Sequence, residues 1–364
     1  MIQLEASQDQ YIFNFILVNI IFILSFVNRN RNKTSVATWL GILLFVLFAF
    51  WGTDYFSMRH IFYNELNAEF RDPLYYYLSF FSFGSYTIFR LIVWGAALLL
   101  FYKTIKNFKL SPNYCAFVFA IFFLLTFSYG RVSLGMALYF YGISYLLMRN
   151  NNDKSKLIKG IFFIVCSYWG HRSMIVPILL TPLIMFSLNK KMVIGLSCFS
   201  VVLSILLPIL LMRFASGDVD MGENLSAVQK SAESFSSLNE MENEYNWKYM
   251  LITSMRNYSF YLLLLYLIWK LVFSKQKNHI SLVPKRLLTL CCGISIIALS
   301  FFAVPGIGAN IMGYRYLYML GIPLCLIFSY MVERGFCMNK TVLLLLIPAF
   351  LYAEGFLLGK VLSY

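Results

Sequence analysis

Pro112–Met148 reads PNYCAFVFAIFFLLTFSYGRVSLGMALYFYGISYLLM, two apolar runs parted at Gly130-Arg131. Each run, 112–129 and 132–148, approaches the ~20 residues a helix needs to cross a ~30 Å hydrocarbon core. The runs are continuous rather than alternating, so they predict helices and not the strands of a membrane barrel. The rest of the chain follows the same pattern. Of 364 residues 60% are hydrophobic and 13% charged, against about a quarter charged in an ordinary soluble domain. That excludes one or two water-soluble domains, which would need far more polar surface.

Basic residues in short links fix the side of each loop. Arg29, Arg31 and Lys33 place the link after run 11–27 inside; Lys103, Lys106 and Lys109 do the same after run 87–103. Run 36–52 leads to a polar outer loop, 53–73, and 74–86 is expected as an interfacial or re-entrant piece because 74–102 is too long for one upright helix. Residues 157–188 have lysines at both ends, so the chain must return to the side it left. Yet these 32 residues fall short of the ~40 that two full spans require. A hairpin turning at His171-Arg172-Ser173 below the outer surface is expected, lining a cavity rather than lipid. Runs 192–212, 249–273, 287–304, 315–332 and 341–359 follow. Loop 214–248 carries seven acids, from Asp218 to Glu244, against Lys230 and Lys248 and is placed outside. The expectation is an all-α polytopic membrane protein of about 12 transmembrane helices, one multi-pass domain over 1–364 with outer loops 53–73 and 214–248.

A net charge of +14 would point to nucleic acid in a soluble protein; in short links it encodes orientation, and no nucleic-acid partner is expected. The cysteines lie in or beside apolar runs without CxxC or Cys/His spacing, so they read as small hydrophobes. The acidic first ten residues lack the basic region of a cleavable signal peptide. No nucleotide-binding loop, HExxH or GxSxG occurs, and neither a metal nor a cofactor is expected.

Lysine and arginine are sorted differently. Under this topology 14 of 17 Lys fall inside but only five of 13 Arg. Arg59, Arg71, Arg90, Arg131, Arg172, Arg213, Arg256 and Arg315 lie outside or in the outer part of spans. Orientation does not require Arg there, whereas Arg presents a planar fork matched to phosphate oxygens and stays charged when partly buried. The sorting points to an outer site for an anionic, phosphorylated ligand; interfacial snorkelling and local ion pairs are the alternative.

Four groups carry polar chemistry. Loop 53–73, with Asp54, Arg59, Arg71 and Asp72 and then Tyr75, suits sugars, since carboxylates bind hydroxyls and aromatic rings cover sugar faces. Arg131 heads a helix on whose Arg131 face lie Gly135, Leu138 and Gly142, so a second helix can pack closely there. His171-Arg172 offers a base near neutral pH beside an anion-binding group. Arg256, seven residues into its run, and Arg315, in Tyr314-Arg315-Tyr316, complete the set; a charge at that depth needs a cavity or a partner.

The motifs Gly52-x-Asp54-Tyr55 through Asp72-Pro73-Leu74-Tyr75, Tyr129-Gly130-Arg131-x-x-Leu134-x-x-Ala137-Leu138, His171-Arg172-Ser173 and Tyr314-Arg315-Tyr316, in this order, resemble the EpsG-type, Wzy-like polysaccharide polymerases of bacterial membranes. Residues 214–248 have no counterpart in the pattern. The resemblance implies a membrane glycosyltransferase similar to the GT-C class, in the cytoplasmic membrane with its site facing outward. Donor and acceptor would both be undecaprenyl-pyrophosphate-linked glycans, with the bilayer and a chain-length regulator protein as further partners. In that chemistry Arg131 and Arg172, with Arg256 or Arg315, would bind the pyrophosphate. His171, or else Asp54, would take the acceptor proton, and Arg59, Arg71, Asp72 and Tyr75 would orient sugars. An O-antigen ligase and a lipid-linked oligosaccharide flippase remain alternatives.

Overall fold

The computed structural model describes residues 6–50, 53–66, 72–149, 153–215, 247–274, 280–304, 307–337 and 339–362. Among the described residues every regular element is helical. Six stretches are long and apolar enough to cross a membrane: Gln8–Asn28, Tyr86–Asn107, Lys190–Ile209, Leu282–Phe302, Met312–Glu333 and Leu343–Leu362. Shorter apolar helices occupy other expected spans, Val36–Leu47, Pro112–Phe122 and Val132–Leu147 among them. The protein is a polytopic, all-helical membrane protein. Arg71 and most of loop 214–248 lie outside the described residues.

The chain divides into two compact units, one of residues 1–181 with 321–364 and the other of 182–320. In the first unit the helices are α1 (Gln8–Asn28), α2 (Val36–Leu47), α3 (Thr53–Asn64), α4 (Pro73–Ser79), α5 (Tyr86–Asn107), α6 (Pro112–Phe122), α7 (Leu124–Tyr129), α8 (Val132–Leu147), α9 (Lys154–Gly170) and α10 (Ile175–Leu180). Serines start several of them. Ser7, Ser35, Ser85 and Ser111 each accept a backbone N–H of the first turn, satisfying donors that a helix start leaves over. Asp153 does the same for α9, and the Lys156 backbone N–H holds its carboxyl below the usual carboxylate range.

Helix α8 is buried along almost its whole length, which makes it the axis of this unit. Its closest partner is α9. A Cβ on Gly142 would stand 2.7 Å from the Gly160 carbonyl oxygen and 3.0 Å from the Ile164 nitrogen, and one on Gly170 2.9 Å from the Gly135 Cα. The small residues expected to admit a second helix do so, backbone against backbone. The run 112–129 is broken at Phe123 (φ −133°, ψ −13°), between α6 and α7. Its ring fills the space where a Cβ on Gly321 would lie, 2.3 Å from the nearest ring carbon.

Two expectations are refined. Residues 53–73 are not simply a loop, because Thr53–Asn64 is helical. Tyr55 and Phe56 are buried on that helix while Arg59 is exposed, so it has a packed side to pay for ordering. The piece 74–86 is short and irregular: α4, then a 3-10 turn at Phe80–Ser82, then Phe83 and Gly84 with φ of 51° and 73° before α5. Phe80, Phe81 and Phe83 are exposed at its tip.

The second unit holds α11 (Lys190–Ala215), α12 (Trp247–Ile268) with a π turn at Trp269–Phe273, α13 (Leu282–Phe302) and α14 (Ile307–Tyr318). Helix α13 packs on α11 and α14, and Thr289 Oγ1 donates to the Phe186 carbonyl at 3.0 Å. Back in the first unit, α15 (Gly321–Glu333) and α16 (Asn339–Leu362) pack against α6. Of the cysteines, Cys115, Cys291, Cys292, Cys325 and Cys337 are buried.

Candidate functional site

The corner between α7 and α8 is built by Gly130 and Arg131. Ser133 Oγ donates to the Phe127 carbonyl at 2.7 Å and Ser133 N to Gly130 O at 3.0 Å, so Arg131 is fixed at the N-cap of α8. The Gly135–Gly170 contact brings the end of α9 to the same level. A Cβ on Gly135 would meet the His171 Cβ at 3.2 Å and Met174 Cγ at 3.0 Å. The turn His171-Arg172-Ser173 therefore sits one helical turn from Arg131. On its far side, the buried Tyr139 hydroxyl donates to the Pro177 carbonyl at 2.7 Å and lies 3.0 Å from Thr181 Oγ1, which ties α10 back to α8.

Helix α4 closes the group. Asp72 stands at its N-cap position, followed by Pro73, yet its side chain does not cap its own helix. Instead Oδ1 accepts the Arg172 backbone N–H at 3.2 Å, across 100 positions of sequence, with Asp72 only 4% exposed. One turn further on, the Tyr75 hydroxyl donates to the Arg131 carbonyl oxygen. One short helix thus holds both arginines by their backbones. Among the described residues neither guanidinium makes a hydrogen bond or an ion pair. Arg172 is exposed and Arg131 half-buried.

Within the turn, His171 Nδ1 accepts the Ser173 backbone N–H at 3.2 Å and lies 2.6 Å from Ser173 Oγ. With Nδ1 as acceptor, the neutral ring carries its proton on Nε2. Ser173 is a residue that charge and aromatic patterns do not single out.

Arg90 has a different environment. It is 1% exposed. Its Nε donates to Leu47 O at 3.1 Å and its Nη2 to Ser128 O at 2.9 Å and to Val46 O. These carbonyls belong to the C-terminal turns of α2 and α7, where partners are missing and the helix dipole is negative. The guanidinium carbon also lies 4.2 Å from the Trp94 ring centroid and 4.9 Å from that of Tyr55. The fork that could have met phosphate is spent on two helix ends.

The sugar candidates are distributed as follows. Asp54 lies on α3 and Arg59 is exposed there; on the same helix His60 Nε2 is 3.2 Å from Glu65 Oε1. Tyr75 is fully buried, with its ring beside those of Phe89 and Trp94, so it covers the start of α8 rather than an open surface. In the second unit Arg256 is 7% exposed on α12, its guanidinium carbon 5.2 and 4.8 Å from the ring centroids of Tyr314 and Tyr318 on α14. Arg315, on α14 as well, directs Nη1 to Met312 Sδ at 3.6 Å.

In comparison with known proteins, the model of the EpsG family matches residues 40–358, a span that includes every candidate residue named above. The search of curated proteins gave no match, and the search of solved structures gave none.

Proposed function

The chain belongs to the EpsG family, a membership that carries a polysaccharide-polymerase role in general, and from it we propose a specific reaction. The protein joins undecaprenyl-pyrophosphate-linked oligosaccharide repeat units by glycosyl transfer on the outer face of the bacterial cytoplasmic membrane. The observation that supports this reading is the double hold of α4, Asp72 on Arg172 N and Tyr75 on Arg131 O. It orders two arginines through their backbones and leaves their side chains for a ligand.

A pyrophosphate is a good leaving group that needs its developing charge stabilised rather than a full proton. Two guanidinium groups and the N-terminal turn of α8 supply that stabilisation, most strongly where water is excluded. The glycosidic C–O bond to pyrophosphate breaks while the acceptor hydroxyl oxygen bonds to the same carbon. The hydroxyl proton passes to Ser173 Oγ as the serine proton passes to His171 Nδ1. The 2.6 Å separation favours that relay, which keeps His171 as the base and adds Ser173 as its contact with substrate. Asp72 and Tyr75 act as holders of the arginines, and Arg59 and Asp54 on α3 remain the groups assigned to sugar hydroxyls.

The test is reaction of the purified protein with lipid-linked repeat units, read as a polymer ladder. Arg131→Lys and Arg172→Lys, which keep charge but lose the fork, are expected to lower the rate by about 10²-fold or more with melting temperature unchanged. Ser173→Ala is expected to lower turnover without weakening donor binding. Full activity in both lysine variants sinks the phosphate assignment; transfer to a lipid A core acceptor with no ladder replaces the polymerase by a ligase.

A further inference from the structure

The proposed reaction leaves a second cationic group unused. Three links on the lysine-rich face converge: the α1–α2 link, the α5–α6 link and the end of α15. Between them is a cavity of about 540 Å³ lined by Arg29, Arg31, Lys106, Lys109, Ser111 and Glu333 among others. That is within the size range of small-ligand sites, roughly 300–1,000 Å³. Four cations face one carboxylate, and among the described residues none of the four is ion-paired.

Orientation alone explains basic links, but it does not require them to meet or to be held in place. These are held. Asn113, 1% exposed, accepts the Ser35 N–H at 2.7 Å and donates to the Arg31 and Lys33 carbonyls at 2.7 and 2.8 Å, so one buried amide fixes the 31–35 link. Lys109 has φ of 57° and ends α5 in a paired motif, its N–H on Lys106 O at 3.0 Å and that of Leu110 on Ile105 O at 3.1 Å. Glycine normally fills that position; a lysine there places a cation at the cavity edge at some conformational cost. Ser111 N donates to Glu333 Oε1 at 2.8 Å, which locks the third link to the second.

We propose that this cavity binds a phosphate-bearing anion, by the arginine fork of Arg31, the donors of Arg29 other than the Nη1 that meets the Phe26 carbonyl, and the point charges of Lys106 and Lys109. A phospholipid headgroup and a soluble phosphate or pyrophosphate share that chemistry, and the test separates them. The site is distinct from the Arg131–Arg172 group and does not depend on its assignment.

The full chain is placed in phosphatidylcholine nanodiscs and titrated with inorganic pyrophosphate, and in parallel in nanodiscs containing phosphatidylglycerol, with bound lipid counted by native mass spectrometry. Saturable binding in the first arm identifies a soluble anion, and retention in the second a headgroup; either supports the site. The combined variant Arg29→Gln, Arg31→Gln, Lys106→Gln, Lys109→Gln is expected to weaken binding by about tenfold or more. Lys154→Gln with Lys159→Gln, on the same face outside the cavity, is expected to leave it unchanged. Glu333→Gln keeps the acceptor for Ser111 N and removes the one opposing charge, so affinity should rise by about threefold or more. A damaged fold cannot produce such a gain. No saturable binding in either arm, equal weakening by the lysine pair, or no gain in Glu333→Gln overturns the proposal.

Discussion

Arg90→Lys tests whether this buried arginine is structural. The substitution keeps the charge and most of the volume, so a charge-only role would survive it. Arg90 uses Nε for Leu47 O, Nη2 for Val46 O and Ser128 O, and Nη1 at 3.5 Å from the Tyr86 hydroxyl. A single ammonium cannot reach the ends of both α2 and α7, and at least one buried carbonyl is left without its donor. Each hydrogen bond to a charged group contributes about 1.5–3 kcal/mol, and the lost stacking on Trp94 about 1–2 kcal/mol. The expected destabilisation is therefore about 3–5 kcal/mol, comparable with breaking a buried ion pair. The measurement is thermal unfolding in detergent, with polymer yield per folded molecule in parallel. Melting should fall steeply while activity per folded molecule changes little, the reverse of Arg131→Lys. An Arg90→Lys protein that melts with the wild type but makes no polymer would falsify the structural role.

Gly142→Ala puts a methyl 2.7 Å from the Gly160 carbonyl oxygen and should cost about 1–3 kcal/mol by forcing α8 and α9 apart; Gly195→Ala, inside α11 with nothing within 4 Å, is the uncrowded control and should hold or raise the melting temperature. Tyr75→Phe removes only the donation to Arg131 O, so stability should drop by about 1 kcal/mol and polymerisation by more than that loss of folded protein explains. Asp72→Ala leaves the Arg172 N–H without its acceptor and should reduce activity and stability together, whereas Asp72→Asn, which keeps an acceptor oxygen, should hold stability; equal melting of the two variants would argue against the Asp72 contact. Asn113→Ala releases the 31–35 link and should speed trypsin cleavage after Arg31 or Lys33 in the folded protein, read by limited proteolysis and mass spectrometry.

Much of the scaffold was legible one residue at a time. Run length gave the helices, and the short apolar reach of 157–188 gave a turn at His171-Arg172-Ser173. The small face of 132–148 pointed to close packing, and α9 supplies it. The helix at Thr53–Asn64 was less legible, because its polar residues match a solvated loop and its buried side, Tyr55 and Phe56, acquires a partner only in the folded chain. The break at Phe123 has no glycine or proline to announce it, and the glycine that makes room for its ring lies almost 200 positions later.

That this chain lies in a membrane as helices could be read from the sequence alone, since hydrophobic run length is a one-dimensional property. What each arginine meets depends on the folded arrangement. Arg90, Arg131 and Arg172 look alike in the sequence, but whether a guanidinium is consumed or left available depends on carbonyls, a carboxylate and a phenol brought from 38 to 100 positions away. Those partners are set by how helix ends meet in space, and no local periodicity encodes that.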